Sequence, residues 1–103
     1  MNDDYGFIKG YVGADSDDVD CYLGNSPDSK EVYVVDQGIM NNPEKFDEHK
    51  VMLGYPTVND AKYHYIINHS SGARIFQNIT PMTISVFKAW LERGNLNEPV
   101  QLR

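Results

Sequence analysis

The chain has 103 residues, enough for one compact domain and too few for two. Its composition, 41% hydrophobic and 12% aromatic, fits a globular core rather than disorder, and it holds no apolar run long enough for a membrane span. The net charge of −6 is uneven: residues 1–48 hold twelve acids against Lys9, Lys30 and Lys45, whereas the remainder holds Asp60, Glu92 and Glu98 against six cations. An acidic face disfavours nucleic acid, whose backbone needs a basic partner. It fits either a cation site or a solvated surface. No signal-peptide pattern opens the chain, and the single cysteine, Cys21, cannot form an internal disulfide. Both observations fit a cytoplasmic setting.

In chain order, Tyr5 to Val12 reads as a glycine-interrupted strand and Val19 to Leu23 as a second strand, with Cys21 a small core residue. Gly24 to Asp28 is a turn cluster. Glu31 to Gln37, β-branched and aromatic, is the clearest strand, with Asp36 expected to cap a turn at its end. Gly38 to Pro43 reads as a loop and His49 to Leu53 as another strand, closed by Gly54-Tyr55-Pro56. Thr57 with Asp60 predicts a helix start, and Ala61 to Asn68 places Ala61, Tyr65 and Ile66 on one face. Ala73 to Ile79 reads as a short strand. Thr80 or Thr83 caps a last helix whose Ile84, Phe87 and Leu91 share a face flanked by Trp90, with Gly94 at its end. Residues from about 95 onward are expected to fray. The pattern is a single α+β domain over residues 1–103, either a small α+β fold or a partly open barrel with flanking helices.

The densest chemistry lies in Asp15-Ser16-Asp17-Asp18-Val19-Asp20. Carboxylates this close repel one another unless cations or solvent neutralise them. Hard divalent ions with oxygen ligands do so, and Mg²⁺ favours a few carboxylates with waters and phosphate oxygens. An acidic turn between two strands is the plain alternative. An EF-hand loop does not fit, because Val19 and Asp20 stand where that loop needs Asp or Asn and then Gly. A phosphatase with an Asp-x-Asp nucleophile needs a better strand than Tyr11 to Ala14 before the first aspartate. His49, His64 and His69 lack metal-ligand spacing and read as surface or partly buried side chains; Tyr63 and Tyr65 read as packing. Lys50 reads equally as a phosphate contact and as a charge on a strand edge.

Tyr5-Gly6-Phe7-Ile8, followed ten residues on by Asp15-x-Asp17-x-x-Asp20, resembles the Mg²⁺-dependent soluble inorganic pyrophosphatases. Only Asp18 departs from their acidic signature. A closer resemblance is to the pyrophosphatase-like domains of multidomain phage and mobile-element proteins. It is carried by Tyr5 to Gly10, Val35 to Gln37, Phe46 to Gly54, Ile79 to Met82 and Phe87 to Leu91.

The resemblance implies a small OB-like β-barrel with two flanking helices, and metal-assisted hydrolysis of pyrophosphate or a related diphosphate with Mg²⁺, or Mn²⁺ in its place. By position, Asp15 and Asp20 would ligate metal. Asp17 would ligate metal or orient the attacking water and act as its base. Glu48 would ligate metal and Lys50 would hold phosphate, with Asp47 and Glu44 as secondary acidic ligands. Tyr5 would donate a hydrogen bond to a phosphate oxygen. The family's strands before the tyrosine motif, with their phosphate-gripping lysine and arginine, have no counterpart in the four residues before Tyr5. Its late Tyr-Lys pair falls near His69-Ser70. These departures fit a piece of a longer protein, or a weakly active or inactive module that binds a neighbouring domain or a second copy.

Overall fold

The computed structural model describes the backbone of residues 4–12, 18–69 and 71–101, and the side chains of these except residues 7–12 and 18. Asp15 and Asp17, and the side chain of Asp18, lie outside the described residues. Five strands form one mixed sheet: β1 (Asp4–Val12), β2 (Asp18–Leu23), β3 (Glu31–Ile39), β4 (Asn42–Leu53) and β5 (Phe76–Thr83), in the order β1-β2-β4-β3-β5. All neighbours are antiparallel except β2 and β4, which run parallel. The chain leaves β2, lays down β3 one place further on, and returns as β4 into the gap. Among the described residues β1 and β5 are the edges of an open sheet, which does not by itself establish the small OB-like barrel that the resemblance implies. Pro81 falls in β5, an edge strand, the place in a sheet where proline is tolerated.

The sheet is apolar on both faces. Along β3, Val32 and Val34 join Val19, Cys21, Val51, Met82, Phe87, Trp90, Leu91 and Leu96 on one face. The alternate residues Tyr33 and Val35 join Tyr22, Met52, Tyr55, Ala61 and Tyr65 on the other. A strand that feeds two cores has no polar side, which is why β3 lacks the alternation of a half-buried strand.

Three helices cover the faces, in place of the two expected. The first, α1 (Val58–Asn68), packs Ala61 and Tyr65 on the second face, its start fixed by the Thr57 hydroxyl accepting from the Asp60 N–H. A one-turn helix, α2 (Gly72–Ile75), occupies the start of the expected strand 73–79, so β5 begins only at Phe76. The last, α3 (Ile84–Arg93), covers the first face and is capped by Thr83, whose hydroxyl accepts from the Val86 N–H. Its buried residues are Phe87, Trp90 and Leu91; Ile84 is exposed, contrary to the expected face, because it opens the helix at the rim of a cleft beside Leu23 and Leu53. Thr83→Ala should lower stability by about 1 kcal/mol in urea unfolding, since it removes the hydroxyl that accepts from the Val86 N–H in the first turn.

Two further departures matter for the site. The loop expected at 38–43 is a two-residue turn, and β4 begins at Asn42, so Glu44 to Glu48 belong to a strand. Gly38 is required there, because a Cβ would lie 2.2 Å from the Pro43 carbonyl oxygen. The segment expected to fray is docked: Leu96 is buried in the α3-side core and Val100 packs against it.

Candidate phosphate and metal site

Side chains alternate along a strand, so the pleat sorts the acids of β2 and β4 by face. Asp20 lies between Val19 and Cys21, which face α3, and therefore points to the α1 side. Lys50 lies between His49 and Val51 and points the same way. The parallel pairing of β2 and β4 sets Asp20 directly opposite Lys50, and β1 sets Tyr5 opposite Tyr22, next on that face.

The result is a buried charged cluster. The Lys50 ammonium contacts Asp20 Oδ2 and lies 2.7 Å from Glu48 Oε1. Lys50 is 7% exposed and Asp20 9%. The Tyr5 hydroxyl donates to the Asp20 carboxylate, its ring 4.9 Å from Tyr22 and 5.8 Å from Lys50 Nζ. Next to Glu48, across the β3–β4 ladder, stands Gln37, whose Oε1 accepts from the Tyr65 hydroxyl at 2.7 Å.

Electrostatics follow from this packing. Burial opposes the charge of Asp20, but hydrogen bonds from Lys50 and Tyr5 outweigh it and hold the carboxyl below its usual range. Burial likewise opposes the Lys50 charge, and the bonds to Asp20 and Glu48 outweigh it, raising the ammonium above its usual range. Tyr5 is pushed up by burial and by its bond to Asp20, and Tyr65 by burial. His69, stacked on Tyr65 with ring centroids 5.7 Å apart, is pushed down by burial and by the nearby Lys50 charge.

A depressed carboxyl stabilises the fold above about pH 4, its unfolded value, and that stability is lost as pH falls through the lowered folded value. A raised ammonium stabilises the fold fully below about pH 10 and loses its contribution as pH rises through the raised value. In metal-free buffer the stability gap between wild type and Asp20→Asn should therefore be flat from about pH 5 to 9 and shrink below about pH 4. Urea midpoints measured across that range test it.

Of the residues singled out in the sequence, the structure gathers Tyr5, Asp20, Glu48 and Lys50. Lys50 is no edge charge, because β4 lies inside the sheet between β2 and β3. Asp47 is bulged out of register, since Gln37 pairs with Glu48 and Gly38 with Phe46; its charge still reaches Tyr65. Glu44 is exposed near the hairpin tip. Among the described residues no group of three His, Cys, Asp or Glu side chains is placed to hold a metal. His49 and Asp36 face the opposite side: His49, expected as a surface or partly buried side chain, is fully buried, and Asp36, expected to cap a turn, is buried beside it. Neither Gln37 nor Tyr65 is singled out as a site residue by the sequence: Gln37 shows only polarity at the end of an apolar strand, and Tyr65 reads as packing on a helix.

Fold and site together define an α+β domain with an oxyanion-and-cation centre: two carboxylates, a buried ammonium and a tyrosine hydroxyl on one face of a mixed sheet. The chain matches the family model of inorganic pyrophosphatase over residues 1–92, and it belongs to that family. No curated protein and no solved structure matches it. No helix among the described residues is long and apolar enough to cross a membrane.

Proposed function

We propose that this domain hydrolyses inorganic pyrophosphate or a related small diphosphate with the help of a divalent cation. The observation that carries the reading is the convergence of Asp20 and Glu48 on one buried cationic centre, Lys50 Nζ, in a chain of the pyrophosphatase family. These donors are hard oxygens and already share one positive charge, which fits Mg²⁺ or Mn²⁺. Asp15, Asp17, Asp20 and Glu48 would hold the ion, with Asp47 a further acid within reach of the cluster. When bound, such an ion neutralises a diphosphate and supplies a water of lowered pKa.

The chain's own groups then divide the work. Asp17 accepts the proton of the attacking water as its oxygen bonds to phosphorus. The bond from phosphorus to the bridging oxygen breaks, and its electron pair leaves with the second phosphate. Lys50, held cationic by its two carboxylates, donates to an oxygen of that leaving phosphate. The Tyr5 hydroxyl, kept protonated, donates to another phosphate oxygen. The substrate is a small phosphate compound rather than nucleic acid or membrane, in keeping with the acidic surface. The segments Phe46 to Gly54 and Phe87 to Leu91 support a place among the pyrophosphatase-like domains of phage multidomain proteins, in the cytoplasm, beside other domains or a second copy.

Phosphate release from pyrophosphate with Mg²⁺ tests the reading. Turnover in the wild type, abolished in Asp17→Asn while Mn²⁺ still binds, supports it and the base assignment together. A second reading rests on Lys50 being engaged by both acids: a binding module that uses the same cluster without turnover. Tight Mn²⁺ binding with no phosphate released by the wild type selects that one.

A further inference from the structure

On the α3 side of the sheet, directly behind the charged cluster, a second polar pair is buried. His49 Nδ1 lies 2.9 Å from Asp36 Oδ1, with the two side chains 1% and 2% exposed. The contact is close, but His49 Nδ1 is not aligned with the carboxylate as a hydrogen bond. Both groups reach the C-terminal segment, residues 95–101. His49 Nε2 donates to the Glu98 carbonyl at 2.9 Å, and the Asp36 carboxylate accepts from the Val100 N–H at 3.2 and 3.3 Å. The His49 ring is held between Phe46 and Trp90, at 4.7 and 4.8 Å between centroids, and Leu96 is buried in the core that Trp90 belongs to.

The register makes this location consequential. Three successive pairs cross from β3 to β4: Val35 with Lys50, Asp36 with His49, and Gln37 with Glu48. The middle pair holds the C-terminal segment, and the pairs on either side carry the site's lysine and one of its acids on the opposite face. We propose that Asp36 and His49 form a latch through which the docked segment 95–101 positions Glu48 and Lys50. His49 is thereby a positioning residue; it faces away from the site and touches no substrate. Docking holds His49 and hence the pleat of β4 on both sides of it. Release frees the one point in the strand around which Glu48 and Lys50 turn. The inference draws on the proposed activity for one of its readouts only.

Hydrogen exchange read residue by residue, together with phosphate release, tests the latch in the full chain. Val100→Pro removes the N–H that Asp36 accepts and alters no residue of the sheet. It should free the amides of residues 95–98, speed exchange at Glu48 to Lys50 about tenfold, and lower kcat about tenfold with KM within about twofold. His49→Phe keeps a ring between Phe46 and Trp90, removes both nitrogens and should act alike. Asp36→Asn keeps an oxygen for Val100 and should stay within about twofold of wild type on every readout. Trp90, the single tryptophan, reports through its fluorescence that the α3-side core stays intact. Freed tail amides with unchanged exchange at Glu48 to Lys50 and unchanged kcat overturn the latch. So does a tail that stays protected in both Val100→Pro and His49→Phe. A wild type without turnover sinks the pyrophosphatase reading instead, and exchange at Glu48 to Lys50 still decides the latch. If His49→Phe does not fold, Val100→Pro carries the test.

Discussion

Lys50→Met should be destabilised by about 3 kcal/mol in metal-free buffer, and millimolar Mg²⁺ should return more than half of that loss. Methionine nearly matches the lysine stem in volume, so packing changes little. What changes is charge. Asp20 and Glu48 both approach the ammonium, and with it gone they face each other in a buried site without a cation. Removing one member of a buried ion pair is costly because the partner stays desolvated and unpaired. Here two partners are stranded, and they repel. A divalent ion can take the ammonium's place, so the variant should gain more from Mg²⁺ than the wild type does. Urea unfolding with chelator and with Mg²⁺ gives both numbers. Equal gains for the two proteins would mean that the carboxylates do not form a cation site.

Asp20→Asn and Glu48→Gln should each lower phosphate release from pyrophosphate about a thousandfold, with Asp28→Asn at wild-type rate. Asp20 is bonded to both Lys50 and Tyr5, so its amide analogue loses a metal-binding charge and loosens the two groups proposed to hold phosphate. Glu48 lies on the same face, one pleat along β4. Asp28 is an exposed turn residue on the β2–β3 connection, and it controls for a general loss of negative charge. A loss of less than tenfold in Asp20→Asn would remove that carboxylate from the chemistry.

The charged cluster shows where a sequence carries information and where it stops. Tyr5, Asp20, Glu48 and Lys50 could be named because their spacing along the chain follows a family pattern. Their closure into one cluster could not be derived from spacing, because it depends on β2 and β4 running parallel with Asp20 opposite Lys50. That pairing joins segments thirty residues apart and is fixed by both cores at once. β3 was legible from its β-branched run because burial on both faces demands apolar residues at every step. The first half of β4 was not: Glu44 to Glu48 carry the composition of a loop, and the tight turn after Gly38 is what recruits them to the sheet. In α3, helical periodicity placed Phe87 and Leu91 inward, but it could not tell that Trp90 would be buried and Ile84 left at a rim. The docked tail was illegible for another reason. Its anchors are the Glu98 carbonyl and the Val100 N–H, backbone groups that every sequence possesses, and their partners Asp36 and His49 are remote in the chain.

Crystals grown with Mn²⁺ and measured for anomalous scattering would locate the ion directly. The expected result is a peak bounded by carboxylate oxygens of Asp15, Asp17, Asp20 and Glu48, with the Lys50 ammonium displaced from its contacts with Asp20 and Glu48. A peak elsewhere, or none at saturating Mn²⁺ with Lys50 still clasped by Asp20 and Glu48, would contradict it.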